Sequence, residues 1–121
     1  MYIKLFDSEL RLMEILWEKG PISAKQINLI AAEEIGWNKN TTYTVLKKLV
    51  QKMAVRRIDP NFICEPLVTR EQVQIDETKK LIEKLYEGSL KAFFTAFLIK
   101  ENLSEEDIVE LKKIIKEVDQ P

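Results

Sequence analysis

The chain has 121 residues, 45% of them hydrophobic, with 19 basic and 20 acidic side chains and no histidine. That length holds one modest core or two very small ones, which excludes a large catalytic architecture. The formal net charge of -1 argues against a protein that coats nucleic acid without selectivity.

In chain order, the opening MYIKLFDSE turns acidic too early for a signal peptide, and no apolar run can span a bilayer. A cytoplasmic chain is expected. Asp7 is placed to cap a first helix whose apolar positions Leu10, Met13, Leu16 and Trp17 recur at helical spacing. Gly20-Pro21 stops that helix. Ser23 with Gln26 makes a capping box for a second helix through Ile27, Ile30 and Ala31 to about Ile35. After Gly36-Trp37, Asn38 caps a third helix with Val45, Leu46, Leu49, Val50 and Met53 on its inner side. Two short extended pieces follow, near Val55–Ile58 and Phe62–Leu67, separated by the turn signal Asp59-Pro60-Asn61. Pro66 assigns the second piece to an edge, and Pro21–Ser23 can add a third strand.

Helix, helix, short turn, helix, hairpin is the layout of a winged helix-turn-helix, in which the helix after the turn enters a DNA major groove. Charge agrees with that layout. From Trp37 to Ile58 the charged residues are Lys39, Lys47, Lys48, Lys52, Arg56 and Arg57, with no acidic residue among them. With the apolar positions inward, Asn40, Thr41, Tyr43, Thr44, Lys47 and Lys48 face out. Asn and Thr suit base edges and thymine methyls, while the lysines reach phosphates near the positive end of the helix dipole. The DNA-binding set read from the sequence is therefore Lys39, Asn40, Thr41, Tyr43, Thr44, Lys47, Lys48, Arg56 and Arg57.

Residues 69–121 reverse the charge balance, with twelve acidic against nine basic residues. Thr69 with Gln72, Ser89, and Ser104 with Asp107 cap three more helices. Their apolar stripes hold Leu81 and Leu85, then Leu90, Phe93, Phe94 and Phe97, then Ile108, Leu111 and Ile115. Some fifty residues of this kind are marginal as an isolated fold, so the stripes are expected to meet a second copy of the chain. The reading is a mainly α protein: a winged-helix DNA-binding domain at 1–68 and a three-helix dimerisation domain at 69–121. No cofactor or metal is expected, and no nucleophile–base pair or phosphate-binding glycine loop can be assembled for an enzyme. A winged-helix adaptor that binds protein without reading DNA is the alternative.

These residues resemble the penicillinase repressor family, the BlaI/MecI/CopY type, from about Leu5 to Val118. The likeness is carried by Asp7–Trp17 (DSELRLMEILW), Gly20–Ala24, Trp37–Leu49 (WNKNTTYTVLKKL), Pro66–Gln72, Gly88–Leu90 and Leu103–Leu111 (LSEEDIVEL). It implies a homodimeric repressor of transcription bound to a dyad operator. The family's W-x-x-x-T-x-x-T-x-L pattern maps onto Trp37, Thr41, Thr44 and Leu46, which assigns Trp37 as the anchor of the third helix and both threonines to DNA. Tyr43 replaces the usual basic residue between the threonines, whereas Lys48 keeps the family's basic position. Met53-Ala54 stands where relatives end the helix on Gly, and the wing is short. Members relieved by a membrane-bound protease sensor are cut between Asn and Phe; the matching pair here is Ala96-Phe97, which weakens that link. Copper-responsive members carry clustered cysteines that this tail lacks.

Overall fold

A computed structural model describes residues 2–120. The elements, in order, are α1 (Asp7–Lys19), β1 (Ile22–Ser23), α2 (Ala24–Glu34), α3 (Lys39–Gln51), β2 (Val55–Ile58), β3 (Ile63–Pro66), α4 (Arg70–Tyr86), α5 (Leu90–Lys100) and α6 (Glu105–Val118). The chain divides into two compact units between Thr78 and Lys79, within α4.

In the first unit the caps are local and follow from the residue types. The Ser23 hydroxyl accepts the Gln26 N–H while the Gln26 side chain accepts the Ser23 N–H, each at 3.1 Å. Asn38 Oδ1 accepts the Thr41 N–H at 2.8 Å and opens α3. The start of α1 differs from the expectation. Phe6, not Asp7, is the capping position, and Asp7 is the first helical residue. A phenyl ring cannot accept a hydrogen bond from the backbone, so the cap works in reverse: Glu9 Oε1 accepts the Phe6 N–H at 2.8 Å.

The core of this unit is built from Leu12, Met13, Ile15 and Leu16 of α1, Ala24, Ile27 and Ala31 of α2, Val45, Leu46 and Leu49 of α3, and Ala54, Val55 and Cys64 of the strands. Leu10 lies outside it, 36% exposed, while Leu12 and Ile15 take the inner face. Met53 is also outside, at 61% exposure. The reason is the end of α3. The Met53 N–H bonds to the Val50 carbonyl and the Ala54 N–H to the Leu49 carbonyl, both at 3.0 Å, with Met53 at φ 65°. That is a Schellman closure with methionine in the left-handed position usually held by glycine, and it swings the side chain off the helical inner face.

The three strands are antiparallel in the order β1-β3-β2. β3 is therefore central, not an edge strand as Pro66 suggested. β1 pairs only with Ile63 and Cys64, so it stops short of Pro66, and a proline at the free end of the strand interrupts nothing on that side. β2 pairs along the whole of β3, from Val55 opposite Pro66 to Ile58 opposite Ile63.

Trp17 packs against the core and donates its indole N–H to the Val68 carbonyl at 2.8 Å. Arg70 at the start of α4 bonds Glu14 of α1 through Nη2 at 2.6 Å and Nε at 3.1 Å. These two contacts seat the segment leaving β3 against α1.

In the second unit α5 and α6 start at Ser89 and Ser104, whose hydroxyls accept the Ala92 and Asp107 N–H groups at 3.0 Å. Tyr86, Phe93, Phe94 and Phe97 form a ring cluster, with Phe93 edge-on to Tyr86 at 5.4 Å and stacked on Phe97 at 5.6 Å. Neither α5 nor α6 buries a residue. No helix among the described residues is long and apolar enough to cross a membrane.

Candidate nucleic-acid interface

Helix α3 sorts its residues cleanly by face. Thr42, Val45, Leu46 and Leu49 are buried, and Thr42 satisfies its hydroxyl by donating to the Asn38 carbonyl at 3.2 Å. Lys39, Asn40, Thr41, Thr44, Lys47 and Lys48 are exposed together on the opposite side, with Tyr43 half-buried at its flank. Thr41 and Thr44 are one turn apart, so their side chains share a strip that starts at the helix N-terminus. The first helical turn has no acidic residue to compete for the positive end of the dipole.

The basic residues of this stretch are not equivalent. Lys39, Lys47 and Lys48 make no ion pair among the described residues, which leaves three ammonium groups on the exposed face of α3. Lys39 lies over the Tyr43 ring at 5.8 Å. Lys52, by contrast, is committed inward: its Nζ donates to Glu9 Oε1 at 2.6 Å and to the Lys4 carbonyl at 2.8 Å, and sits over the Phe6 ring at 4.4 Å. On the wing, Arg56 pairs with Glu65 at 2.9 Å, and Arg57 Nε donates to Asp59 at 3.0 Å. The face thus concentrates free positive charge on the helix, with the wing arginines partly neutralised by their own strand and turn.

Between α3 and the wing lies a cleft of about 340 Å³ lined by Tyr43, Lys47, Val50, Arg57 and Phe62. Phe62 is the residue that sequence reasoning missed. Its ring carries the Arg57 guanidinium at 3.8 Å and meets the Tyr43 ring edge-on at 6.0 Å. The signal that was available is an aromatic residue directly after Asp59-Pro60-Asn61, where a polar turn needs none.

Comparison with known proteins decides the family. The model of the penicillinase repressor family matches residues 5–117. The chain belongs to the penicillinase repressor family. It is 28% identical over 114 residues to the methicillin resistance regulatory protein MecI of Staphylococcus aureus, covering 93% of each chain. It is 24% identical over 116 residues to the penicillinase repressor of Bacillus licheniformis, covering 94% of this chain and 91% of the relative. Among solved structures, the DNA-binding domain of the repressor BlaI superposes with a TM-score of 0.55 at 20% identity, over 60% of this chain and 90% of that one. That likeness fixes the first unit as a winged helix. Penicillinase repressors are not enzymes, which agrees with the lack of any assembled catalytic group in the sequence.

In this member of the penicillinase repressor family the stripes expected for dimerisation remain largely uncovered. Leu81, Leu85, Leu90, Phe94, Phe97, Ile108 and Ile115 are exposed, and Phe93 and Leu111 are half-buried. A groove of about 370 Å³ runs between Leu98 and Leu103 on one side and Ile108, Leu111 and Ile115 on the other. Lone Cys64 is buried in β3, and burial pushes its thiol up to about 11 against the lowering charge of Arg57. It is an inert core residue at neutral pH.

Proposed function

We propose that this chain is a homodimeric, sequence-specific transcriptional repressor that recognises a dyad operator with α3 in the major groove. Residues 1–68 read DNA and residues 69–121 join the two subunits, in the cytoplasm where the operator lies. The observation that carries this reading is the exposed face of α3. Asn40, Thr41 and Thr44 offer base-reading groups beside Lys39, Lys47 and Lys48, and no carboxylate interrupts the stretch from Trp37 to Ile58. Arg56 and Arg57 extend the same charge onto the wing. The names of the relatives, a penicillinase repressor and a regulatory protein, support the same assignment.

A dimer follows from the reading itself as well as from the apolar stripes, because two half-sites in fixed register give such proteins their specificity. Control by a membrane-bound protease sensor is not part of the proposal, since Ala96-Phe97 replaces the Asn-Phe pair. The test is selection of bound duplexes from a random pool by the purified full chain. The expected product is a dyad whose half-sites lie one or more helical turns apart. Its affinity should fall by roughly 10³–10⁵ between 50 and 200 mM salt if 6–10 phosphates are neutralised. A pool that yields no enriched duplex, or binding with no salt slope, overturns the reading in favour of a protein-binding adaptor.

A further inference from the structure

Phe62 sits in the turn between β2 and β3 with φ at 49°. The left-handed region is unfavourable for a bulky side chain, whereas asparagine and glycine enter it readily. The backbone there is well held, because the Phe62 carbonyl accepts the N–H of Ala24, the first residue of α2, at 2.9 Å. A strained position that carries a large ring calls for a reason in what the ring touches. Here the ring packs against the core of the first unit, and it also supports Arg57 at 3.8 Å and Tyr43 at 6.0 Å, with Tyr43 in turn beneath Lys39 at 5.8 Å. Lys39, Tyr43, Phe62 and Arg57 thus form one continuous row, a pair of rings with a cation at each end, from the first turn of α3 across to β2.

We infer that Phe62 is a positioning residue for DNA readout, whose ring holds the wing's Arg57 and the recognition helix's Tyr43 as a single surface. The inference rests on the DNA-binding reading above and deepens it. Arg57 has two attachments at once: the face of Phe62 and the carboxylate of Asp59 at the turn. The ring holds the guanidinium in the cleft that Lys47 also lines, where it can meet a phosphate. Without the ring, Asp59 is its remaining partner and draws the charge toward the wing tip. Tyr43 likewise loses the edge contact that fixes its ring beside the base-reading threonines.

The experiment compares full-length wild type, Phe62→Asn, Phe62→Tyr, Arg57→Gln and the double variant Arg57→Gln/Phe62→Asn. The probe is a duplex that wild type selects from a random pool, titrated across a range of salt. Phe62→Asn is the informative change, because asparagine relaxes the backbone while removing the ring. Because the ring also packs against the core of the first unit, binding is compared at a temperature where both proteins are folded. There the variant should bind about tenfold more weakly, as loss of an aromatic pair and a cation–π contact implies. Its salt slope should fall by about one, the share of one phosphate contact. Phe62→Tyr should bind as wild type does. The double variant should lose less than the sum of the two single losses, because the Arg57 share is common to both and only the Tyr43 share is added. Unchanged binding by folded Phe62→Asn, fully additive losses in the double variant, or failure of Phe62→Tyr to preserve binding would each overturn the inference. A wild type that selects no duplex fails at an earlier step and takes down the DNA-binding reading itself.

Discussion

Thr44 and Lys48 stand on the same exposed side of α3, but their chemistry separates what they contribute. A threonine hydroxyl and methyl can discriminate between base edges, whereas an ammonium on a flexible stem meets phosphates of any sequence. Thr44→Ala is expected to cost ~1–3 kcal/mol on the selected operator and to broaden base preference at one position. Lys48→Ala should weaken operator and scrambled duplex about equally and lower the salt slope by about one. Anisotropy titrations on both duplexes check this, and a Lys48→Ala loss confined to the operator would reverse the assignment. Cys64 carries a different prediction. Its thiol is raised to about 11 by burial, so the folded state keeps this proton at pH values where the unfolded chain has lost it. Stability from this group is therefore intact below about pH 9 and drains away as pH climbs toward 11. The gap in urea midpoint between wild type and Cys64→Ala should narrow from pH 8 to 10.5, and a constant gap would contradict it.

Two elements far apart in sequence are joined by Glu9 near the start of α1 and Lys52 at the end of α3. Glu9 is 1% exposed, Lys52 keeps 28% of its side chain in water, and Glu9 Oε2 has no hydrogen-bond partner among the described residues. Removing the ammonium strands a buried carboxylate, so Lys52→Met should destabilise by about 2–3 kcal/mol, below the range for a fully enclosed pair because Lys52 is partly hydrated. Adding Glu9→Gln to that variant should restore part of the loss in chemical denaturation; a double variant no better than the single would show that the carboxylate is not what suffers. Neither partner was legible as such. Ser23, Gln26 and Asn38 could be read directly because each closes a hydrogen bond three residues away. Glu9 and Lys52 meet across a separation of 43 residues, and nothing local announces it. Phe6 hid the start of α1 for a related reason: the capping is done from the third helical residue backward, while Asp7 has the residue type that usually does it. Met53 fits the apolar period of α3 and still lies outside, because periodicity cannot see where a Schellman turn ends the helix. Pro66 suggests an edge position for β3 even though Pro21–Ser23 reads as a third strand, because local sequence does not show that β1 pairs only with Ile63 and Cys64 and stops short of the proline. The exposed face of α3 was legible throughout, because one amphipathic helix with a sound cap determines both of its sides.

At the scale of the whole molecule the two units differ in how they use their apolar residues. The first hides Leu12, Met13, Leu16, Ile27, Leu46 and Leu49 completely. In the second, Leu85, Phe97, Ile99, Ile114, Ile115 and Val118 are each about half or more exposed, and among its described residues only Ile82 is buried. Monomeric proteins rarely display so much contiguous apolar side chain, and a partner surface is the usual reason. Ile115 distinguishes the alternatives well, because it is 67% exposed in the single chain. If the subunit stood alone, Ile115→Glu would be an ordinary surface change worth within about ±0.5 kcal/mol, and it would leave the molecular mass in solution unchanged. If the α5–α6 groove meets its copy, the same substitution buries an unpaired carboxylate at the interface. Dimer dissociation should then shift by at least about tenfold, the equivalent of ~1.4 kcal/mol. Sedimentation equilibrium over a concentration series measures the shift. Operator binding should follow it: a variant monomer keeps its contacts to one half-site but loses the linked second site, so affinity for the dyad falls toward that for an isolated half-site. Dissociation of the variant with unchanged dyad affinity would separate dimerisation from recognition, and an unshifted mass would place the partner surface elsewhere.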